Sequence, residues 1–477
     1  MLGLFGTLNL AARSMQAQMT GVEVSGHNLA NVNNPAYTRQ RVVLETNTAI
    51  PTGIGMEGTG VKVAAIQQIV STLLNGQIQT QSGVGSYWST QQNLLQSAQN
   101  GLNEFLNSSG STDATSSTST ATTANSSLST LLTGFFNDFS AVASSDTPGN
   151  RQKLVGDAQS LAQAFNGATT QISTARTAAN TSITNDVDSA NKLLADVASL
   201  NTQISRAEFT GGEANDLRDS RQQDLENLAK ITNFTTSTGT NNTVNISIGG
   251  QTLVSGQNVQ DTLQAYDASS SGGGQWLIRT ATGQVPLTLT SGSIQGAIDV
   301  RDGALTDLQT NINSLATTVI SQVNTLHNAG FNSTGGNGNT FFTGSNAATI
   351  SVNASLVNDP SLVQTASTST ASGDTSVALA IAQLANSSQT ALGGQTFSQA
   401  YSQIVGHLGD SVKTANDQVD GQTAVAAMLT TQRSSVSGVS LDEEMTNMMS
   451  FQKAYTASAE VVKTVDAMLQ TVLAMKT

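Results

Sequence analysis

Few of the residue types that carry chemistry sit close enough together in this sequence to do any. The three histidines, His27, His327 and His407, lie far apart, and there is no cysteine. No Glu-x-x-His spacing follows His27, so no metal site and no other cofactor is expected. Gly53-x-Gly55-x-x-Gly58 has the spacing of a dinucleotide loop. Such a loop works only between a strand and a helix, where the helix start holds a pyrophosphate. The β-like run VKVAAI follows instead, so this is a glycine turn. Asp216, Arg218, Asp219, Arg221 and Asp224 form the densest charge cluster. Arg221 and Asp224, three apart, can face each other on a helix, and Arg218 and Asp219 with Gln222 and Gln223 read as its wet face. That suits a helix or interface salt bridge better than a catalytic carboxylate pair. Asp442, Glu443 and Glu444 favour the positive end of a helix. No Gly-x-Ser-x-Gly elbow with a nearby histidine occurs, so a hydrolase is unsupported. The chain does not read as an enzyme.

Composition narrows the classes further. At about 100–200 residues per domain, 477 residues suggest two to four domains. Charged residues make up 11%, against about 25% in ordinary globular chains. Ser, Thr, Asn, Gln and Gly replace them, and such a weakly self-repelling surface suits a protein that assembles. Net charge is -13 with 19 Lys and Arg, which argues against nucleic acid as a partner. No apolar run is long enough for a membrane span. The N-terminus lacks the charge pattern and cleavage site of a secretory signal, so export would need another route. The absence of cysteine fits passage into an oxidising space.

The elements that must do the work lie at the two ends. Residues 3–30 read as a helix whose Leu4, Leu8, Ala11, Met15, Gln18, Val22, Ser25 and Leu29 recur at steps of 4 and 3, the seam of a coiled coil. Asparagines and Pro35 then stop it. Residues 37–48 look extended, 51–60 form a glycine-rich turn, and 60–66 return as a strand. In the last 40 residues Met448, Phe451, Tyr455, Ser458, Val462, Val465, Leu469 and Val472 repeat the seam spacing. Ser440 is placed to cap that helix, with Glu443 as its capping-box partner. A 30-residue helix is about 45 Å long and cannot bury such a stripe alone. Met445, Met448, Met449, Met468 and Met475, with Met15 and Met19, read as packing between helices or subunits.

Between the ends, helix is expected over 68–107, 128–145, 150–209, 213–230, 296–329, 377–390 and 396–433. Asp146 caps the long helix, with Pro148 in its first turn. Ile183, Val187, Ala190, Leu193, Val197, Leu200 and Ile204 supply its stripe. Residues 108–127 are a low-complexity connection. Short alternating runs over 235–295 indicate a β insertion, and a short strand is expected at 349–352. The fold class is therefore mainly α with an inserted, outward β-rich domain. Residues 1–67 and 436–477 form a terminal coiled-coil axial core with an extended β-like segment. Residues 68–234 and 296–435 form a helical rod, with a Gly/Asn-rich loop-strand region at 330–375.

The segment 25–40, SGHNLANVNNPAYTRQ, resembles the N-terminal signature of flagellar rod, hook and hook-associated proteins. Residues 437–445 (SGVSLDEEM), 451–459 (FQKAYTASA) and 465–468 (VDAM) are similar to their C-terminal signature. Interior segments resemble the hook-associated protein 1 family, the FlgK-like proteins of the hook–filament junction. These are Asn215-Asp-Leu-Arg-Asp219, Arg301-Asp302, Val323-Asn-x-x-His327 with Gly330, and Phe341-Phe-Thr-Gly344. The family usually has Thr-Pro-Gly-Tyr where this chain has Asn34-Pro35-Ala36-Tyr37. Either the turn differs, or position 36 needs no positive φ.

The resemblance implies terminal helices that are disordered before assembly and then form the inner tube of the flagellar axis. It implies type III export without a cleaved signal and a location at the hook–filament junction. The implied partners are copies of the chain in a ring-like or helical assembly, the hook protein, and the next junction or filament protein. A cytoplasmic export chaperone is expected on the C-terminal helix, over Met445 to Met475. The seams (Leu4, Leu8, Ala11, Met15, Val22 and Leu29; Met448, Phe451, Tyr455, Val462, Val465, Leu469 and Val472) are the expected interfaces. Asn31, Asn33, Pro35, Tyr37 and Arg39 form the signature loop. The alternatives are another axial protein (hook, distal rod or third hook-associated protein) and a secreted adhesin with a helical stalk, whose function would sit in 235–295.

Overall fold

The computed structural model describes residues 3–52, 55–106, 127–209, 211–269, 274–370 and 373–475. The low-complexity connection lies outside them except for Ser127, and so does Gly53 of the glycine turn.

The ends of the chain meet. Helix α1 (Leu4–Ala30) packs antiparallel against the last helix, α11 (Leu441–Ala474). Ser14 Oγ lies 2.9 Å from Ser458 Oγ. A Cβ on Gly21 would sit 2.6 Å from the Phe451 ring, so glycine is what lets the ring lie flat on the backbone of α1. Asn28 Nδ2 donates to Glu444 Oε2 at 3.0 Å. These three rungs are a heptad apart on both helices, as a coiled-coil seam requires. After α1, strand β1 (Gln40–Thr46) pairs antiparallel with β4 (Val61–Gln68), with a bulge between Val43 and Leu44. The hairpin β2 (Ile50–Thr52) and β3 (Gly55–Glu57) extends from their far end.

Helices α2 (Thr72–Leu106), α3 (Leu128–Ser144), α4 (Pro148–Phe209) and α5 (Asn215–Ile231) follow. At 1.5 Å per residue, the 62 residues of α4 span about 93 Å. Helix α3 is capped by Ser127, whose Oγ accepts from Thr130 N. It buries Leu128, Leu132, Phe135, Phe136, Phe139 and Val142 in the largest core, with the first half of α4. The expected cap at Asp146 is instead an ion pair. Asp146 takes Nε and Nη2 of buried Arg151 at 2.5 and 2.6 Å, and Thr147 Oγ1 accepts from Asn150 N. The rest of the Arg151 fork donates to Ser361 O, Val363 O and Thr365 Oγ1. Arg151 thus staples the start of α4 to the 361–365 loop. Arg151→Met would leave Asp146 without its cation and two carbonyls without their donor. A loss of about 3–5 kcal/mol is expected, read as a lower urea midpoint.

The inserted strands do not make a core of their own. Strands β5 (Thr235–Thr238), β6 (Val244–Ile248), β7 (Gln251–Ser255) and β8 (Asn258–Val259) form an antiparallel sheet in that order. Strands β9 (Leu263–Asp267) and β10 (Trp276–Thr280) form a hairpin. Ile246, Ile248, Leu253, Val254 and Ile278 bury against the second half of α4, α5 and α6 (Ser293–Asp302). Here the stripe of α4 needs correcting. Leu194 and Asn201 are buried, whereas Leu193 and Leu200 are only half-buried. Asn201 belongs inside because its amide bonds Val244 O, Gly256 O and Val244 N, tying helix to sheet.

The helix expected over 296–329 is two, α6 and α7 (Ala304–Asn328), parted at Gly303. Strands β11 (Phe342–Thr343) and β12 (Ser351–Val352) pair, and the short helices α8 (Ala354–Asn358) and α9 (Ser376–Gln383) follow. Helix α10 (Phe397–Ser437) starts with a full capping box between Thr396 and Gln399 and returns along α2. The interior motif residues are staples of this region. Arg301, fully buried, reaches Asp302, Asn180 and Trp276 O. Asn324 holds Phe341 N, Phe342 N and Phe342 O.

His327 is fully buried. Its Nε2 accepts from Gln364 N at 3.0 Å, so Nδ1–H donates to Asn339 O at 2.7 Å. Burial, helped by the charge of Arg151, pulls its pKa down to about 4. A histidine buried neutral stabilises fully above its unfolded pKa of about 6.5, and that share is lost as pH falls through the folded value. The stake is about 3 kcal/mol at roughly 1.4 per pKa unit. Between pH 7 and pH 4 the native chain should lose more stability to urea than His327→Gln does.

Candidate functional site

The turn after α1 is where the paired ends are fastened to the rest of the chain. Asn28 is 1% exposed, and all four of its hydrogen-bonding positions are used. Nδ2 donates to Gln40 O at 2.8 Å and to Glu444 Oε2 at 3.0 Å. Oδ1 accepts from Gln40 N at 3.0 Å and from Tyr37 Oη at 2.7 Å. Because the Tyr37 proton goes to Asn28, His27 Nδ1–H donates to Tyr37 Oη, at 3.0 Å. Burial, with Asp216, Asp219 and Glu444 adding negative charge, pushes the Tyr37 phenol well above its usual range.

Arg39 closes the turn onto α11. Its Nε and Nη1 donate to Glu444 Oε1 and Glu443 Oε2, each at 2.7 Å. Its backbone N–H donates to Ser437 O at 3.0 Å, and its carbonyl accepts from Ile69 N at 2.9 Å. Glu444 is 2% exposed, and between Arg39 and Asn28 both of its oxygens are engaged. The expected capping box at Ser440 is therefore absent: Ser440 makes no side-chain cap, because Glu443 and Glu444 turn to Arg39. Within the turn, Asn34 Oδ1 accepts from Ala36 N at 3.1 Å, and Ala36 has no positive φ. The alanine costs nothing there, which answers the question its presence raised.

Helix α5 supplies the other side of the joint. Asp219 is 8% exposed and accepts from Thr38 N and Gln68 Nε2 at 2.9 and 2.8 Å. Burial pushes its carboxyl up to about 6, against the pull of those bonds. Asp216 accepts from Gln40 Nε2, and Asn215 donates to Ile66 O and Gln40 Oε1. Asp219 is thus an interface residue, not part of a wet face. Arg221 turns to Asn201 and Asn242 O rather than to Asp224, and Arg218 pairs with Glu208 and Glu213. The arrangement holds helices, and His27 Nε2 lies 3.8 Å from Asp216 Oδ2 at its edge. Among the described residues no group of His, Cys, Asp and Glu is built to hold a metal. Nor, among the described residues, is any helix long and apolar enough to cross a membrane.

The expected seam residues are only partly where the spacing placed them. On α11, Val465 is buried, and Met448, Phe451, Ser458, Val462 and Leu469 turn inward, half-buried. Tyr455 and Val472 are 40% and 55% exposed, so they lie off the α1 contact. Met445, Met449, Met468 and Met475 are also exposed, leaving Met448 as the α11 methionine that turns inward. On α1 the buried line is Ala11, Ala17, Gly21, Val24, Ser25 and Asn28. Leu4, Leu8, Met15, Val22 and Leu29 lie on its half-buried flank. In the loop, Asn33 and Pro35 are exposed, and Asn31 bonds His27 O. The sequence reading missed Asn28, Gln40, Asp219 and Glu444 as parts of one site. The available signal was their polarity inside or beside the quoted motifs.

The site is thus an antiparallel pair of chain ends fastened by a polar joint to a long helical body. The family model described as the flagellar hook-associated protein FlgK helical domain matches residues 115–342, and that of the flagellar basal body rod FlgEFG protein C-terminal region matches 430–475. Flagellar hook-associated protein 1 of Bacillus subtilis is 26% identical, covering 99% of this chain and 98% of its own length. Its namesake in Salmonella typhimurium is 25% identical over 98% of this chain and 99% of its own length. A solved structure described as the flagellar hook junction protein FlgK from Burkholderia pseudomallei shares the fold. Its TM-score is 0.62 at 18% identity, over 77% of this chain and all of that one. The chain belongs to the FlgK-like family of flagellar hook-associated proteins and is a structural component of the bacterial flagellum.

Proposed function

We propose that the chain joins hook to filament as an axial junction protein and permits filament assembly, with no catalytic step. The observation that carries this reading is the joint of Asn28, Arg39 and Glu444 with Asp216 and Asp219 of α5, which sets the terminal pair at a fixed place on the helical body. The pair leaves Phe5, Met19, Met445, Met449, Met468 and Leu473 exposed, the surface that neighbours in an assembly would cover. Residues 1–67 and 436–477 form the axial core, and 68–234 with 296–435 form the surrounding rod. The strands of 235–295 face outward. The partners are further copies of the chain, the hook protein on one side, and the next junction or filament protein on the other. The chain leaves the cell unfolded by type III export. Before that, the Met445–Met475 region of α11 is held by a cytoplasmic chaperone.

Deleting the gene should give cells with hooks and no filaments, and the full chain supplied in trans should restore filaments. Filaments growing normally from the deletion strain would defeat the reading. Long tubes made by the purified chain alone would point to a hook or filament protein instead.

A further inference from the structure

A cavity of about 220 Å³ lies beneath the signature turn, between α5 and the α10–α11 corner. Asn31, Tyr37, Asp219, Glu226, Arg433 and Ser434 are among the residues that line it. Its two carboxylates are not equally served. Glu226 has Arg433 Nη1 at 2.5 Å. Asp219 has only neutral donors, Thr38 N and Gln68 Nε2, and among the described residues no lysine or arginine pairs with it. Each oxygen of Asp219 has a neutral donor but no cation of its own, and a charge-assisted partner would bind it more strongly than these do.

The terminal helices carry two cations without an ion pair among the described residues, Arg13 and Lys453, both exposed. Lys453 points away from the α1–α11 seam, two positions beyond Phe451, whereas Arg13 lies beside it, next to Ser14. A guanidinium also suits a site rimmed by carboxylate and amide oxygens better than an ammonium does. Within one chain Arg13 cannot reach the cavity. It is 15 residues, or about 22 Å of helix, from Asn28. We propose that the cavity under the signature turn is a socket for Arg13 of a second copy of this chain, placing Arg13 against Asp219. This rests on the axial reading and names a contact through which neighbouring copies would set their stagger. Two copies offset by about 22 Å along the terminal helices would bring the groups to one level.

The chain has no cysteine, so introduced ones report only on each other. Asn9→Cys lies one turn before Arg13 on the same face, and Ser434→Cys lies at the cavity rim. Cells would express the two single variants together, and their isolated flagella would be treated with a short bismaleimide. A cross-linked pair is expected, several-fold above that of a Lys453→Cys and Ser434→Cys control. It should fall to the control level when Arg13→Gln is added to the Asn9→Cys chain. Incorporation into flagella without the 9–434 link, or a link unchanged by Arg13→Gln, would overturn the socket and leave the axial reading standing. Absence of the native chain from isolated flagella would overturn both.

Discussion

Arg39→Met should free the turn after α1 from the start of α11 while leaving the helical body intact. Arg39 is the cation for Glu444, which is 2% exposed, and it also holds Glu443. Removing one partner of a buried pair leaves the other charged, unpaired and desolvated, at a cost of about 3–5 kcal/mol. Asn28 cannot compensate, because its amide is already committed to Gln40 and Glu444. The methionine keeps the stem contacts, so the loss isolates the charge. The two cores of the body lie on other elements and should hold. The expected record is fast hydrogen exchange in residues 31–40 and 437–445 and new protease cleavage there, with exchange in α3 and α4 unchanged. Unaltered protection of the turn would mean that the joint is held by something other than this ion pair.

The second large effect lies on the pair itself. Replacing Met448, Phe451 and Val462 together by alanine should abolish incorporation into flagella while the body stays folded. Phe451 covers the backbone at Gly21, with its ring against α1. Each half-buried apolar side chain contributes up to about 1.5–3 kcal/mol. Toward their far ends the two helices have only each other, so these contacts weigh most there. Gly21→Leu tests the same contact from the other side, because any Cβ there would overlap the ring. Circular dichroism should show a helical body that melts near the native temperature in both variants. Normal motility with either would remove the pair from the mechanism.

The pattern of success in the sequence follows from what helical spacing reports. The seam on α11 was legible because its inward residues are large and apolar. On α1 the same rule picks Ala11 and Ser25, which are buried, but also Met15, Val22 and Leu29, where the buried line runs through Ala17, Gly21 and Asn28 instead. Where two helices approach closely, small residues take the seam and large ones take its flanks. A size-weighted reading therefore turns such a helix by one position. The shift from Leu193 and Leu200 to Leu194 and Asn201 on α4 has a different cause. A buried asparagine that serves two strands looks like a break in an apolar stripe. The joint was half visible. Its motifs stood out as motifs, but the bonds from Arg39 to Glu444 and from Thr38 to Asp219 cross 405 and 181 positions of sequence. Nothing local encodes them. Glu443 looked like a capping partner because its true partner lies at the opposite end of the chain.

The most direct measurement of the central claim is a density map of the hook–filament junction in flagella isolated from cells that carry this chain. A short zone of this chain is expected between hook and filament. There α1 and α11 should be paired around the central channel, and the turn at residues 31–40 should join each pair to a helical body outside it. A zone in which α1 and α11 are apart, or in which the chain is missing from the axis, would contradict it.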